Sequence, residues 1–94
     1  MTVIGLNVLH DFGQQHADVK PQIDTWAAFV GDAQWEKPLD LKQSFPKASI
    51  RPDNHIIFDL KGNRYRLVVK INYMKKIVLV KRMGTHAEYS KWKL

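Results

Sequence analysis

The stretch 64-RYRLVVKINY-73 alternates with the two-residue period of a half-buried strand. Tyr65, Leu67, Val69, Ile71 and Tyr73 fall on one side, and Arg66, Val68, Lys70 and Asn72 on the other. Just upstream, Ile56, Phe58 and Leu60 alternate with His55, Ile57 and Asp59, and 61-KGN-63 carries the Gly and Asn of a hairpin turn. Downstream, 74-MKK-76 turns the chain and 77-IVLVKRM-83 returns it. Three short strands joined by tight turns predict an antiparallel meander. If helices cover the Tyr65/Leu67/Val69/Ile71 face, Arg66 and Lys70 project from the other. The register of the last hairpin decides whether Lys81 or Arg82 joins Arg66, since a one-residue slip flips every side chain.

The front half supplies those helices. Thr2 to Leu6 reads as a short strand. Asn7 is placed to cap a helix whose Val8, Leu9 and Phe12 share a face, with Gly13 weakening its end. Asp18 is placed to cap a second helix with Pro21 in its first turn. There Ile23, Trp26, Ala27, Val30 and Ala33 recur at helical spacing, interrupted only by the cost of Gly31. Pro38 opens a third helix through Phe45, and Pro46 stops it. Helices first and strands after predict an α+β fold, the helices packed on one face of a small antiparallel sheet.

A chain of 94 residues has room for one core, so a single domain is expected over 1–94. It has no cysteine, which excludes disulfides and thiolate metal sites and fits a reducing cytoplasm. No apolar run approaches the roughly 20 residues of a membrane helix, and MTVIGLNVLHDF lacks the pattern of a signal peptide. Charge is unevenly spread. Residues 1–47 hold four lysines against six acids, net −2, whereas residues 48–94 hold seven lysines and four arginines against three acids, net +8. A basic back half on a neutral front half predicts one basic surface and a polyanionic partner.

At the basic end stands 85-THAE-88, a capping box in which Thr85 accepts from the Glu88 N–H and Glu88 reaches back to the Thr85 N–H. A short C-terminal helical turn then starts at His86, which places His86 and Tyr89 on one face. The plain reading is a helix start with Tyr89 packed on the core and His86 on the surface. The chemical reading is an RNA-cleaving site, which needs a base for the ribose 2′-hydroxyl, an acid for the leaving 5′-oxygen and cations for the phosphorane-like transition state. Histidine titrates in the right range, tyrosine donates a proton or stacks on a base, and arginine holds a phosphate by a planar fork. His10 and His16 read as surface residues of the first helix, and His55 opens the first meander strand. The four histidines form no metal-binding motif, and no cofactor is expected.

The stretches 61-KGNRYRLVVKINY-73 and 84-GTHAEY-89, with Trp26 to Trp35, 40-DLKQSFP-46 and 54-NHIIFDL-60, resemble the HigB family of toxins from bacterial type II toxin–antitoxin systems, within the RelE-like superfamily. The resemblance covers nearly the whole chain from about Asp18 to Tyr89. It implies two helices on a small antiparallel sheet and an mRNA interferase, an endoribonuclease that cleaves messages, often on the ribosome, and stops growth. It also implies a partner, a HigA-like helix-turn-helix antitoxin in a heteromeric complex. By position, the catalytic set would be Arg66, Lys81 with Arg82 adjacent, His86 and Tyr89. Ser90 stands where the family often has an acid, and Lys81 where it has an arginine. Lys61, Arg64, Lys70 and Lys91 would supply RNA or ribosome contacts. Two rival readings share the basic surface: a gyrase-inhibiting toxin of the ParE type, and an RNA- or ribosome-binding module without catalysis.

Overall fold

The structure, a computed structural model, describes residues 1–92. Its elements run β1 (Thr2–Ile4), α1 (Leu6–Gln15), α2 (Lys20–Asp32), α3 (Pro38–Ser44), β2 (Ser49–Arg51), β3 (His55–Leu60), β4 (Tyr65–Asn72), β5 (Ile77–Thr85) and α4 (His86–Tyr89), with single 3-10 turns at Ala17–Val19 and Pro52–Asn54. The expected meander is present as β3, β4 and β5, all antiparallel. The sheet has two further strands, giving the order β1-β5-β4-β3-β2. The N-terminal strand lies parallel to β5, and Ser49–Arg51, which its short length hid in the sequence, pairs with β3.

β4 sits in the middle, and its alternation sets the layers. Leu67, Val69 and Ile71 join Leu9, Ile23, Trp26, Val30, Phe58 and Val78 in one buried core, so the helices cover the predicted face. Trp26 meets Phe58 edge to face at 5.4 Å, and Phe45 from the end of α3 meets Phe58 at 5.0 Å. The opposite face is not simply open. Ile57 and Val68 are opposed in register and are both 1% exposed, yet they lie outside the helix-side core. Here the Pro52–Asn54 turn and α4 pack against β4.

The β4–β5 register resolves the choice between Lys81 and Arg82. Val68 pairs with Arg82 and Val69 with Val80, so Lys81 is the extra residue of a β-bulge. Val80 and Met83 both belong to the core, and the two residues between them are both exposed cations. The bulge therefore turns two consecutive charges outward where a regular strand would present one.

Two expected caps are absent. The first helix begins at Leu6, not after Asn7, because Gly5 makes the strand-to-helix change at φ 94° with no side-chain cap. A β-carbon at Gly5 would lie 3.1 Å from both Cβ and the carbonyl oxygen of Val80, so glycine answers two demands there. Asp18 lies in the turn before α2, and Val19 takes the cap position without a side-chain bond. The Asp18 carboxylate is engaged elsewhere: Tyr65 Oη donates to it at 2.9 Å and Lys61 Nζ at 3.3 Å, from the far hairpin. Nor is His16 a plain surface residue, since its ring stacks on Phe12 at 4.2 Å and meets Tyr65 edge-on at 5.5 Å.

Gly5→Ala should destabilise the fold by about 1–3 kcal/mol, from the positive φ and the approach to β5 together. Urea unfolding midpoints of variant and parent measure this, and equal midpoints would show that the strand-to-helix turn relaxes freely.

Candidate active site

Arg66 is the hub of the cations, aromatics and histidine. It projects from β4 opposite Gly84 of β5 and Asp59 of β3. Its Nε lies 3.0 Å from Asp59 Oδ1, with the guanidinium side chain 18% and the aspartate 31% exposed. The pair meets the distance of an ion pair, but the Nε–H is not aligned with the carboxylate and makes no hydrogen bond. The attraction is therefore chiefly coulombic, less screened than between fully solvated groups. From the other end, Arg66 Nη2 is 3.2 Å from His86 Nδ1, and its Cζ stands 4.9 Å from the centre of the Tyr89 ring.

That contact specifies a proton position. A guanidinium has only donors, so His86 Nδ1 must accept, and the neutral ring bonded this way carries its proton on Nε2. His86 is exposed and Tyr89 half-buried.

α4 is built as the sequence predicts. Thr85 Oγ1 accepts from the Glu88 N–H at 3.2 Å, and Glu88 Oε1 accepts from the Thr85 N–H at 2.9 Å. The His86 N–H donates to the Arg64 carbonyl at 2.9 Å, tying the start of the turn to the neighbouring hairpin. Gly84 has a clear steric reason, because a β-carbon there would lie 2.7 Å from Cζ2 of Trp92. Trp92 thus folds back over β5. It meets Tyr89 edge to face at 5.8 Å, and Arg82 stands 5.4 Å from the centre of its ring.

Of the residues singled out in the sequence, Arg66, His86 and Tyr89 are brought into contact. Arg82 lies against Trp92, next to Tyr89, and Lys81 occupies the bulge. Lys70 is exposed on β4, opposite His55, and Lys91 is exposed just after α4. Lys61 and Arg64 sit at the β3–β4 hairpin, where both approach Asp18, Lys61 at 3.3 Å and Arg64 at 4.0 Å. Asp59 and Trp92 were missed. Asp59 was legible as the residue that faces Arg66 once the hairpin register is fixed, whereas nothing local marks Trp92. A further groove of about 410 Å³ between α2 and α3, lined by Pro21, Trp26, Phe29 and Phe45, is largely apolar and reaches Asp59 and Lys61 at the end of β3.

Electrostatics hold the scaffold of the site. The Thr85 backbone N–H, then the Thr85 hydroxyl and the charges of His16 and Lys91, keep the Glu88 carboxyl below its ordinary value against the opposing effect of partial burial. Asp18 is held low first by the Tyr65 hydroxyl and then by Lys61, and Tyr65 is correspondingly raised by Asp18. Among the described residues no helix is long and apolar enough to cross a membrane, and no three His, Asp or Glu side chains are grouped to hold a metal ion.

A family model described as HigB_toxin, the RelE-like toxic component of a toxin-antitoxin system, matches residues 19–92. The mRNA interferase toxin HigB of Escherichia coli (strain K12) is 24% identical over 91 residues, which span 95% of this chain and 88% of that protein. The mRNA interferase HigB proteins of Escherichia coli O157:H7 and Shigella flexneri match with the same identity and extent.

A lowered folded-state value makes the Glu88 contribution complete above the ordinary 4.5 and lost as pH falls through the folded value. The parent should therefore lose stability on acidification below about pH 4.5 faster than Glu88→Gln, which keeps a side-chain acceptor that does not titrate. Urea midpoints of both proteins between pH 6 and 3 read the difference, and parallel curves would remove Glu88 from the acid response.

Proposed function

Because the chain belongs to the HigB toxin family, the RelE-like toxic component of a toxin–antitoxin system, we propose that it is an mRNA interferase: an endoribonuclease that cleaves messages and arrests growth until its antitoxin binds. An antitoxin partner comes with the family. In our reading it is a HigA-like helix-turn-helix protein in a heteromeric complex, and the messages are cut while on the ribosome. The names of the similar bacterial proteins support the activity. One geometric observation carries the assignment to residues: Arg66 is shared between the His86 ring nitrogen and the Tyr89 ring.

The chemistry runs without a resident metal. Arg66 and Arg82, with Lys81 from the bulge, hold the scissile phosphate and neutralise the charge that builds on it. A phosphate oxygen is a stronger partner for the guanidinium than a neutral imidazole. Its arrival draws Arg66 Nη2 away and frees the Nδ1 lone pair of His86. His86 then takes the proton of the ribose 2′-hydroxyl, whose oxygen attacks phosphorus as the bond to the 5′-oxygen breaks. The proton then passes from the His86 imidazolium, relayed by the Tyr89 hydroxyl or by water, to the leaving 5′-oxygen, and the products are a 2′,3′-cyclic phosphate and a free 5′-hydroxyl. Tyr89 backs the arginine and presents its ring to an adjacent base. Asp59 is a positioning residue that keeps the guanidinium fork aimed at the phosphate. Lys61, Arg64, Lys70 and Lys91 extend the basic field along the strand or toward ribosomal RNA.

His86→Gln should lower the cleavage rate by about 100-fold or more, the usual scale for a lost acid–base group. Arg66→Ala should have an effect of roughly 100-fold, as for a lost transition-state donor. Both should relieve growth arrest with unchanged circular dichroism. Mapping 5′ ends of cellular RNA after a short pulse of expression separates the readings. New ends that vanish in both variants fit the interferase. Intact messages with broken DNA would indicate a gyrase inhibitor, and growth arrest without either would indicate a binding module.

Asp59→Asn should reduce cleavage by about twofold to fivefold while leaving the pH profile in place, consistent with a partly screened ion pair acting through Arg66. A displaced pH profile would instead put Asp59 in the proton transfers.

A further inference from the structure

Beside the Arg66–His86 pair lies a cavity of about 370 Å³ of which the mechanism above uses only the Tyr89 ring. Arg51, Pro52 and His55 form one side, and Tyr89, Ser90 and Trp92 the other. We propose that this cavity binds one nucleobase of the RNA strand, the base of a nucleotide next to the scissile phosphate, and so sets the sequence preference of cleavage. The inference rests on the interferase reading and names the part of the substrate that this part of the site takes.

Four observations converge. First, the size falls within the range of small-molecule sites, and one base is a small occupant for it. Second, the walls offer rings: Tyr89 and Trp92 on one side, and the half-buried His55 imidazole with the Pro52 ring on the other. Bases unstacked from a single strand are held against such rings, largely irrespective of sequence. Third, the position is continuous with the cleavage site. Tyr89 is a wall of the cavity and also the ring against which Arg66 stands at 4.9 Å, so a strand whose phosphate meets Arg66 delivers a neighbouring base here.

Fourth, the polar groups suit a base better than a phosphate. Asp53 also lines the cavity beside Arg51, so the wall carries one charge of each sign and no net charge to draw in a phosphate; a carboxylate accepts from amino or imino N–H groups of a base and a guanidinium donates to its ring nitrogens and carbonyls. His55 Nδ1 is 3.1 Å from the Pro52 carbonyl, which can only accept, so Nδ1 carries a proton and the other ring nitrogen remains for a ligand. The wall is preset by its backbone: Asp53 and Asn54 both stand at φ 60°, a conformation these two residue types tolerate. On the opposite side, Trp92 is fixed over Gly84 and against Arg82. Both walls are thus in place before any ligand arrives.

The test is a coupling measurement on binding, independent of catalysis. Short RNA oligomers in which 2′-fluoro replaces every 2′-hydroxyl cannot be cleaved. Abasic sites are introduced into them one position at a time. For the parent, one abasic position should weaken binding about tenfold, the scale of a lost base–aromatic stack. His55→Ala should weaken binding of the full oligomer similarly and abolish the penalty at that one position only. Trp92→Phe, which keeps a ring, should retain most of the penalty. His55→Ala is the primary variant because Trp92→Ala also removes the packing on Gly84. An abasic penalty undiminished in His55→Ala, or no single penalised position in the parent, would overturn the base pocket. Failure of the interferase reading appears separately, as expression of the parent that leaves no new 5′ ends in cellular RNA.

Discussion

The middle strand of the sheet is buried on both faces, and the rest of the molecule is arranged around that constraint. Leu67 and Val69 face the helices, and Val68 between them is 1% exposed on the opposite side. Burying an apolar side chain of this kind contributes about 1.5–3 kcal/mol, so neither face can be left to water without loss. One face is covered by α1 and α2. The other is covered by α4 and by the Pro52–Asn54 turn, each a single turn of helix. So small a cover leaves room at its edges. The cavity that results has Pro52, Asp53 and His55 on one side and Tyr89, Ser90 and Trp92 on the other.

The same constraint explains why Arg66, His86 and Tyr89 meet. Arg66 stands two residues before Val68 on the covered face, and Gly84 is its neighbour on β5. Gly84 leaves space for Trp92, Trp92 lies against Tyr89, and the capping box sets where α4 starts. His86 thereby reaches the guanidinium of Arg66 from above while Asp59 holds it from the side. In the proposed mechanism, Asp59, Arg66 and the two β5 cations on three strands, with His86 and Tyr89 on one helical turn, supply phosphate binding and proton transfer. The two explanations of GTHAEY are therefore compatible. Thr85 and Glu88 build the turn, and the turn delivers His86 and Tyr89.

The helix starts are where local reading and structure part. Asn7 and Asp18 have the chemistry of caps but do not cap. At Asn7 the parallel pairing of β1 with β5 ends the strand at Ile4 and forces the turn at Gly5, two residues early. At Asp18 a phenol and an ammonium from the hairpin offer stronger partners than backbone N–H groups. Both outcomes depend on contacts across more than forty residues, between Asp18 and Tyr65 and between Gly5 and Val80.

What the sequence determined alone were the features set by short-range periodicity: the helical face from Ile23 to Val30, the three-strand meander, the cation-bearing side of β4 and the capping box before His86. It also contained the family pattern. Tertiary structure decided the bulge that turns both Lys81 and Arg82 outward, the Asp59–Arg66 pair, the placement of Trp92 over Gly84 and the cavity between His55 and Tyr89. Those features depend on register and on side chains meeting from distant elements. A two-residue or 3.6-residue period specifies which face a residue lies on, but not which residue of another strand will stand opposite it.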